Sequence, residues 1–247
     1  MPHLFKISGS DLDNPAFSAR FASGIAAAAK AGQAPIVVHG GGKELTELLT
    51  TFKIETRFVD GLRVTFGPAR DAALMVLSGL TNKRLTAAII AAGADAIGLS
   101  GIDGGLVRVE AMNPALGFVG KPVQARSELL ANLVAQGFVP VINPMSLGFD
   151  GEIYNVNADH VAGALAVAMD ADMLTFVTNV PGVLDGQMQL IPTLTAAQTD
   201  ALIVSGVISG GMIPKVKTAL EALAAGVKQV RITNLDGLAG GGTVFGL

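Results

Sequence analysis

The chain has 247 residues, of which 50% are hydrophobic and 15% are charged, with a formal net charge of −3 and no cysteine. This composition excludes intrinsic disorder, disulfides and Cys-based catalysis or metal binding, and the small charge excess disfavours nucleic acid or a membrane surface as a partner. The length fits one large domain or two intimately packed lobes.

The histidines and the N-terminus narrow the class of protein further. His3, His39 and His160 are far apart in the sequence, so no His-based metal site is predicted. Charged residues interrupt the most apolar tracts, so no membrane helix is predicted. The chain starts directly on a strand-like segment without the features of a signal peptide, and we therefore expect a cytoplasmic protein.

The first 40 residues predict a βαβ unit. Residues 4–7 and 36–39 are short apolar runs typical of buried strands. The helix between them begins at Asn14-Pro15 and ends before Gly32, a cap and a stop that helices prefer. Because a helix connects the two strands, we expect them to be parallel neighbours joined by a right-handed crossover.

The same alternation continues along the rest of the chain. A helix follows Gly42, and Asp60-Gly61 predicts a hairpin turn between arms at 57–59 and 62–65. The other predicted helices lie at 68–92 (one long or two short), 129–135, 158–169, 196–204 and 212–225, and the other predicted strands at 96–99, 106–110, 116–119, 139–142, 174–178, 229–233 and 243–245. Strands 106–110 and 116–119 are expected to form a small antiparallel excursion. We predict an α/β fold, a three-layer α/β/α sandwich with a central, mainly parallel sheet and with ligand sites beyond the carboxyl ends of its strands.

Two glycine turns follow the two strands of the first unit. The sequence His-Gly-Gly-Gly at 39–42 precedes a helix, where bare amides favour a phosphate-type anion, although a plain tight turn has the same pattern. Lys6 and Gly9 belong to the second turn, and Lys6 either snorkels at the strand end or meets anionic oxygens. Since neighbouring parallel strands end at the same edge of a sheet, the two turns could share one phosphoryl group.

Polar side chains also stand at other helix and strand ends. Asn155 and Asp159 lie where a strand enters a helix, and Asp159 either caps amides or holds a cation. Lys215 lies in the first turn of a helix, where it needs an anion or solvent. Arg63 either pairs its forked guanidinium with a substrate carboxylate or is an ordinary surface arginine.

The order of these motifs resembles that of the amino acid kinase family over essentially the full chain. The resemblance implies an ATP-dependent kinase, a homodimer, with Mg²⁺ carried on the ATP phosphates. Within the family, the chain most resembles members that phosphorylate the side-chain carboxylate of N-acetyl-L-glutamate, giving N-acetyl-L-glutamyl 5-phosphate in arginine biosynthesis. The segments that carry the resemblance are 39–42, 61–65, 81–83, 98–101 with 103–104, 155–159, 179–184 and 210–215.

The resemblance also implies lobes and residue roles. Residues 1–155 would form an N-terminal lobe for amino-acid binding and dimerisation, and residues 156–247 a C-terminal lobe for ATP. The roles implied are catalytic for Lys6, Lys215 and Asp159, phosphoryl contact for Gly9, substrate binding for Gly41, Gly42, Arg63 and Asn155, and ATP binding for Asn179, Val180, Pro181, Gly182, Val183, Leu184, Val207, Ile208 and Ser209.

Three positions depart from the family pattern. Ser8 replaces a usual glycine, Lys43 a usual proline and Asn179 an aspartate of some members. We expect Ser8 to adopt an ordinary negative φ, because Gly9 still supplies a permissive position. No extra helix precedes the first strand, which favours a dimer that arginine does not inhibit.

Three other functions compete with this one. A sister kinase would phosphorylate carrier-protein-linked aminoadipate or glutamate in lysine biosynthesis. A non-catalytic regulator of the same fold would bind a nucleotide or an amino acid, but the chain keeps Lys6, Asp159 and Lys215. A Rossmann dehydrogenase lacks support because the required glycine spacing is missing.

Overall fold

Strands and helices alternate along the chain as the sequence predicts. The computed structural model describes residues 2–12 and 14–246. Met1, the first residue of the N-terminal segment in which no signal peptide is expected, lies outside the described residues. The strands are β1 (His3–Ile7), β2 (Pro35–His39), β3 (Phe58–Val59), β4 (Leu62–Arg63), β5 (Ala96–Ser100), β6 (Val107–Ala111), β7 (Val119–Ala125), β8 (Val139–Asn143), β9 (Met145–Gly148), β10 (Ile153–Val156), β11 (Met173–Val177), β12 (Thr193–Leu194), β13 (Val230–Thr233) and β14 (Thr243–Phe245). The α-helices are α1 (Gly9–Leu12), α2 (Pro15–Lys30), α3 (Gly42–Thr51), α4 (Gly67–Ala73), α5 (Asn82–Ala91), α6 (Glu128–Ala135), α7 (Ala158–Ala168), α8 (Ala196–Val204) and α9 (Met212–Ala224).

The central sheet has eight strands in the order β12-β14-β13-β11-β1-β2-β8-β5. It is parallel from β13 to β5, whereas β14 runs antiparallel to β13. The strands that precede α7 in the chain and those that follow it occupy opposite halves, which meet where β1 pairs with β11. The predicted sandwich with a mainly parallel sheet is confirmed, and so is the parallel pairing of the first two strands.

Helices cover both faces of the sheet, and β1 shows how the residues divide between them. Leu4 packs in the core on the side of α7 and α9, whereas Phe5 and Ile7 pack in the core on the side of α2 and α5. Since successive side chains of a strand point to opposite faces, Lys6 lies on the same side as Leu4. Burial of a Leu, Ile or Phe side chain stabilises the fold by roughly 1.5–3 kcal/mol. The apolar cores therefore hold β1 in the register that turns Lys6 towards α7.

The antiparallel pair predicted from strands 106–110 and 116–119 forms, but the bounds predicted for the second strand are wrong. β6 pairs antiparallel with β7, which begins only at Val119, and Pro114–Leu116 is a 3₁₀ turn whose start is capped by Asn113. Pro122 lies within β7 where the pairing register shifts, and a strand tolerates proline at such irregularities. β9 and β10 close the pair into a four-stranded barrel, which the sequence analysis does not predict.

The predicted hairpin and the long helical region are both present. β3 and β4 pair antiparallel with shorter arms than predicted, and Asp60 and Gly61 have φ of 49° and 78°, as a type I′ turn requires. α4, a π-helical segment (Leu74–Thr81) and α5 form one continuous run. Within the described ranges, no helix combines the length and the apolar character that crossing a membrane demands.

Candidate active site

Lys6 and Asp159 form an ion pair at the carboxyl end of β1. Lys6 is the last residue but one of β1, and Asp159 is the second residue of α7. The Lys6 Nζ lies 2.7 Å from Asp159 Oδ1, and the two side chains are 16% and 24% exposed. Asn157 caps the helix instead, since its Oδ1 accepts a hydrogen bond of 2.7 Å from the Asp159 amide. Of the two interpretations of Asp159, the structure shows the one in which it holds a cation.

Lys215 reaches the same place from the first turns of α9. A cavity of about 360 Å³ is lined by Lys6, Asp159, Asn179 and Lys215, among other residues. The Lys215 Nζ makes a long contact of 3.4 Å with the Gly211 carbonyl. Two lysines and one carboxylate thus line the same cavity, and the excess of positive charge suits anionic oxygens.

The two predicted glycine turns meet at this edge of the sheet. A Cβ at Gly9 would overlap the backbone of Gly40 and Gly41, so only glycine permits this approach. Gly41 is buried, and the N–H groups of Gly41 and Gly42 donate to no acceptor in the part of the chain that the structure describes. Ser8 has a negative φ, which confirms that expectation. Two free amides therefore stand at the helix N-terminus, a recurrent arrangement for binding an anion.

A second, smaller pocket adjoins the glycine turn. It has a volume of about 180 Å³, and all four predicted substrate residues, Gly41, Gly42, Arg63 and Asn155, line it. The Asn155 Nδ2 donates a hydrogen bond of 3.2 Å to Thr65 Oγ1, which fixes the amide side chain at the wall of the pocket. We refer to this volume as the acceptor pocket.

Arg63 is buried with part of its hydrogen-bonding capacity unused. One terminal nitrogen, Nη2, donates to the Gly42 carbonyl at 2.9 Å and to Thr46 Oγ1 at 2.7 Å, and the guanidinium stacks on the Phe58 ring. The other, Nη1, is buried without a partner among the described residues. Burial also lowers the pKa of Arg63 from its usual value. A fixed guanidinium with a free N–H edge is suited to a carboxylate.

The predicted nucleotide segments are only partly brought to the cavity. Asn179 lines it, while Val183 is a core residue whose amide donates to Thr243 Oγ1 at 2.8 Å, and Ile208 is also buried in the core. Gly182 has a φ of 143°, and a Cβ there would crowd Thr243, which explains the glycine. The other predicted nucleotide residues, which do not line this cavity, are Val180, Pro181, Leu184, Val207 and Ser209.

Comparison with known proteins identifies the family. The model of the amino acid kinase family matches residues 2–234. The chain belongs to this family. Acetylglutamate kinase of Roseiflexus castenholzii is 50% identical over 245 residues, which cover 98% of this chain and 93% of that protein. Acetylglutamate kinase of Chloroflexus aurantiacus is 49% identical over 248 residues, with 98% and 95% coverage.

A solved structure has a fold similar to that of this amino acid kinase. The crystal structure of smu.665 from Streptococcus mutans UA159 has a TM-score of 0.83 and 29% sequence identity, and the match covers 99% of this chain and 98% of that chain.

Sequence reasoning missed a buried polar network in this amino acid kinase. His39, at the end of β2, is wholly buried, and its ring lies within hydrogen-bonding distance of Gly40 and Asn82. Lys83 joins the network by donating to the Asn82 Oδ1 at 3.2 Å and the Gly98 carbonyl at 2.9 Å. The signal available in the sequence is the Asn82-Lys83 pair, an amide next to a cation. A single sequence does not show which strand ends these two side chains reach.

Two histidines, the buried His39 and the partly buried His3, are expected to make the protein less stable in weak acid. Burial, and then Arg231, lowers the pKa of His3 to about 4. Burial is also the main cause that lowers the pKa of His39 to about 4, and Lys83 adds to it. Because the unfolded ring has a pKa near 6.5, the unfolded state binds protons first, so stability is complete above about pH 6.5 and falls as the pH drops towards 4.

Between pH 7.5 and pH 5, each histidine should cost about 2 kcal/mol of unfolding free energy. Urea denaturation of the wild type, His3→Gln and His39→Asn at both pH values measures this change in the unfolding free energy. The difference between the two pH values should shrink by about that amount in each variant. An undiminished difference in both variants would contradict the assignment to these rings.

Proposed function

We propose that this amino acid kinase transfers the γ-phosphoryl group of ATP to the side-chain carboxylate of N-acetyl-L-glutamate, giving N-acetyl-L-glutamyl 5-phosphate in arginine biosynthesis. The observation that carries the proposal is that Arg63, whose Nη1 has no partner among the described residues, lines the acceptor pocket, and that Ala158 of this pocket is followed directly by Asp159 of the cavity that Lys6 and Lys215 line. Relatives that are about half identical and carry the name acetylglutamate kinase support the substrate. They do not favour the alternative kinase of lysine biosynthesis.

The reaction needs alignment and charge neutralisation rather than a base. One oxygen of the acceptor carboxylate forms a bond to the γ-phosphorus of ATP, the bond from that phosphorus to the β,γ-bridging oxygen breaks, and ADP leaves with the electron pair. The carboxylate is already ionised at neutral pH, so no proton has to be removed from it. Catalysis then depends on holding the two reactants in line and on stabilising the charge on the transferring oxygens.

The chain supplies donors for both tasks. Lys6 and Lys215 stabilise the transferring phosphoryl group, and Asp159 holds Lys6 in place through the ion pair. The amides of Gly41 and Gly9 contact the phosphoryl oxygens or the reacting carboxylate. Each such donor, fixed before the reaction, stabilises the transition state by roughly 3–4 kcal/mol in sites of this kind.

Arg63 and Asn155 hold the part of the acceptor that does not react. The free Nη1 edge of Arg63 binds the α-carboxylate, and Asn155 contacts the acetylamino group. Such contacts orient the side-chain carboxylate towards the cavity beside Lys6.

ATP and its metal ion enter from the C-terminal half. We propose residues 1–155 as the acceptor lobe and residues 156–247 as the ATP lobe, which is supported by the division of the sheet at β1 and β11. Mg²⁺ is carried on the ATP phosphates, where it neutralises their charge. The described residues hold no group of three or more acidic or histidine side chains placed to bind a metal ion.

A homodimer is part of the proposal because the family resemblance implies one. Met75, Leu80 and Ile90 expose 62%, 42% and 51% of their surface on the helical run from α4 to α5. Apolar side chains of this size favour contact with a second molecule. Light scattering in solution measures the mass of the assembly, which should be twice the mass of one chain.

The function is tested by an assay of ADP formation with MgATP and a panel of acceptors. The panel contains N-acetyl-L-glutamate, glutamate, aspartate and derivatives of aminoadipate, the last group also attached to a carrier protein. Turnover on N-acetyl-L-glutamate alone, with an acyl phosphate trapped by hydroxylamine, is the expected result. Turnover confined to carrier-linked aminoadipate or glutamate would replace the substrate, and no turnover on any acceptor would remove the function.

Replacing Arg63 by lysine should weaken acceptor binding selectively. Arg63→Lys keeps the charge but loses the planar fork, so the KM for N-acetyl-L-glutamate should rise about tenfold or more, with the KM for ATP changed little. Arg108→Lys is the matched control, because Arg108 also stacks on a phenylalanine and donates to a backbone carbonyl, but does so in the barrel. Equal increases in both KM values, or the same effect in the control, would assign Arg63 to stability.

A further inference from the structure

The two ring nitrogens of His39 have opposite and fixed roles. Nδ1 lies 2.8 Å from the Gly40 carbonyl oxygen, which only accepts, so Nδ1 carries the proton. Nε2 lies 3.0 Å from the Asn82 Nδ2, which only donates, so Nε2 accepts. The same Asn82 nitrogen donates to the Val141 carbonyl at 2.9 Å, and Lys83 donates to the Asn82 oxygen, which settles the orientation of the amide.

The glycine turn that follows His39 has little conformational preference of its own. Gly40, Gly41 and Gly42 carry no Cβ, so the peptide between Gly40 and Gly41 is flanked by two glycines and can turn over at low cost. The absence of side chains lets the amides approach a ligand, but it leaves their direction undefined. Some other group has to define that direction.

A hydrogen bond to one end of a peptide group orients the other end. The Gly40 C=O and the Gly41 N–H belong to the same planar trans unit and point in opposite directions. When the His39 Nδ1–H holds the Gly40 oxygen, the Gly41 N–H is turned away from the ring. Gly41 is a buried residue that lines the acceptor pocket, and its N–H has no acceptor in the described ranges.

We propose that His39 is a positioning residue for phosphoryl transfer: its Nδ1–H locks the Gly40–Gly41 peptide so that the Gly41 amide faces the reacting oxygens. Asn82 prevents the ring from turning over, because its Nδ2 donates one N–H to Nε2 and the other to the Val141 carbonyl of β8, while the Leu99 carbonyl of β5 lies further away at 3.3 Å. The inference rests on the proposed function and adds a residue to it that touches neither substrate.

The arrangement is independent of pH over the working range of an ATP-dependent enzyme. Among the described residues, Lys83 is the charged group of the network, and none of their carboxylates takes part in it. Since the pKa of His39 is lowered to about 4, the ring stays neutral at pH 7, and the donor remains on Nδ1.

Two amide variants separate the two ring nitrogens. His39→Asn places an amide nitrogen near the position of Nδ1 and keeps the bond to Gly40, whereas His39→Gln places its amide oxygen near the position of Nε2, where it accepts from Asn82 Nδ2. We expect kcat to fall at least tenfold in His39→Gln and less than threefold in His39→Asn, with both KM values changed less than kcat. The crystal structure of His39→Gln should show the Gly40–Gly41 peptide turned.

His3 provides the matched control. It is also a partly buried histidine, at the start of β1 and thus at the other end of the sheet, with its Nε2 2.7 Å from Thr175 Oγ1. His3→Asn and His3→Gln should lower Tm and leave kcat unchanged. A purely structural role for His39 would likewise lower Tm in both variants without separating their kcat values, and that result would overturn the proposal.

The tautomer of His39 can be measured in the wild-type protein, so this test does not depend on whether a variant folds. Nitrogen-15 NMR of the His39 ring should show a protonated Nδ1 and an unprotonated Nε2, and the opposite tautomer would overturn the proposal. If the wild type phosphorylated no acceptor in the panel, the proposed function would fail on its own. The ring tautomer and the peptide orientation in His39→Gln would then still decide whether His39 locks the Gly40–Gly41 peptide.

Discussion

Replacing Lys215 by alanine is expected to lower kcat by about 10²–10³-fold while the protein keeps its fold. Lys215 lines the cavity that also holds Lys6, and its Nζ makes only a long contact of 3.4 Å with the carbonyl of Gly211, the residue before α9. A lysine early in a helix opposes the positive end of the helix dipole, so its removal costs the fold little. Its charge therefore matters most when phosphate oxygens are present.

The control for Lys215→Ala is Lys217→Ala. Lys217 is exposed, lies on α9 two residues further along, and does not line the cavity. Steady-state kinetics with MgATP and N-acetyl-L-glutamate, together with Tm, compare the two variants. A Lys215→Ala enzyme with kcat within threefold of the wild type, or an equal loss in Lys217→Ala, would remove Lys215 from the mechanism.

The sequence predicts this fold well where local pattern and burial agree. The run at 4–7 is apolar except for Lys6, and the structure shows why: alternate residues of β1 fill two separate cores, and Lys6, near the end of the strand, reaches Asp159 in the first turn of α7. The meeting of Gly9 with Gly40 and Gly41 also follows from neighbouring parallel strands. In both places, strand register alone decides which groups come together.

The barrel was missed although a signal for part of it was present. Asp150-Gly151 lies between β9 and β10, which pair antiparallel, and Gly151 has a φ of 87°. This dipeptide is a strong hairpin signal. Closure of the barrel, however, requires β6 to pair with β9 and β10 with β7, and pairings between distant segments leave no local pattern.

The network around His39 could not be predicted for the same reason. His39, Asn82 and the Val141 carbonyl belong to three separate elements, and the first two are 43 positions apart in the sequence. The sequence shows the residue types but not the distances. Only the order β2-β8-β5 brings the ends of the strands and α5 together.

Replacing Lys6 should have the largest effect of all, and a second substitution should partly reverse it. Lys6→Ala removes a phosphoryl donor and also leaves the Asp159 carboxylate, only 24% exposed, unpaired beside the phosphate oxygens. We expect kcat to fall by more than about 10³-fold, because the loss of the donor and the repulsion by the carboxylate add together. Asp159→Asn alone keeps the ammonium but loosens it, and a smaller loss of about 10–10² is expected.

The double variant Lys6→Ala/Asp159→Asn distinguishes an electrostatic pair from two independent residues. With the unpaired charge removed, kcat should recover about tenfold relative to Lys6→Ala, whereas independent roles would make the double variant the slowest of the three. Lys228→Ala is the control, since Lys228 forms a similar ion pair of 2.8 Å with Asp170 on an exposed surface, where such pairs contribute little. A double variant slower than Lys6→Ala would mean that Asp159 acts on the substrates directly, and the ion pair would then be a consequence of its position rather than its function.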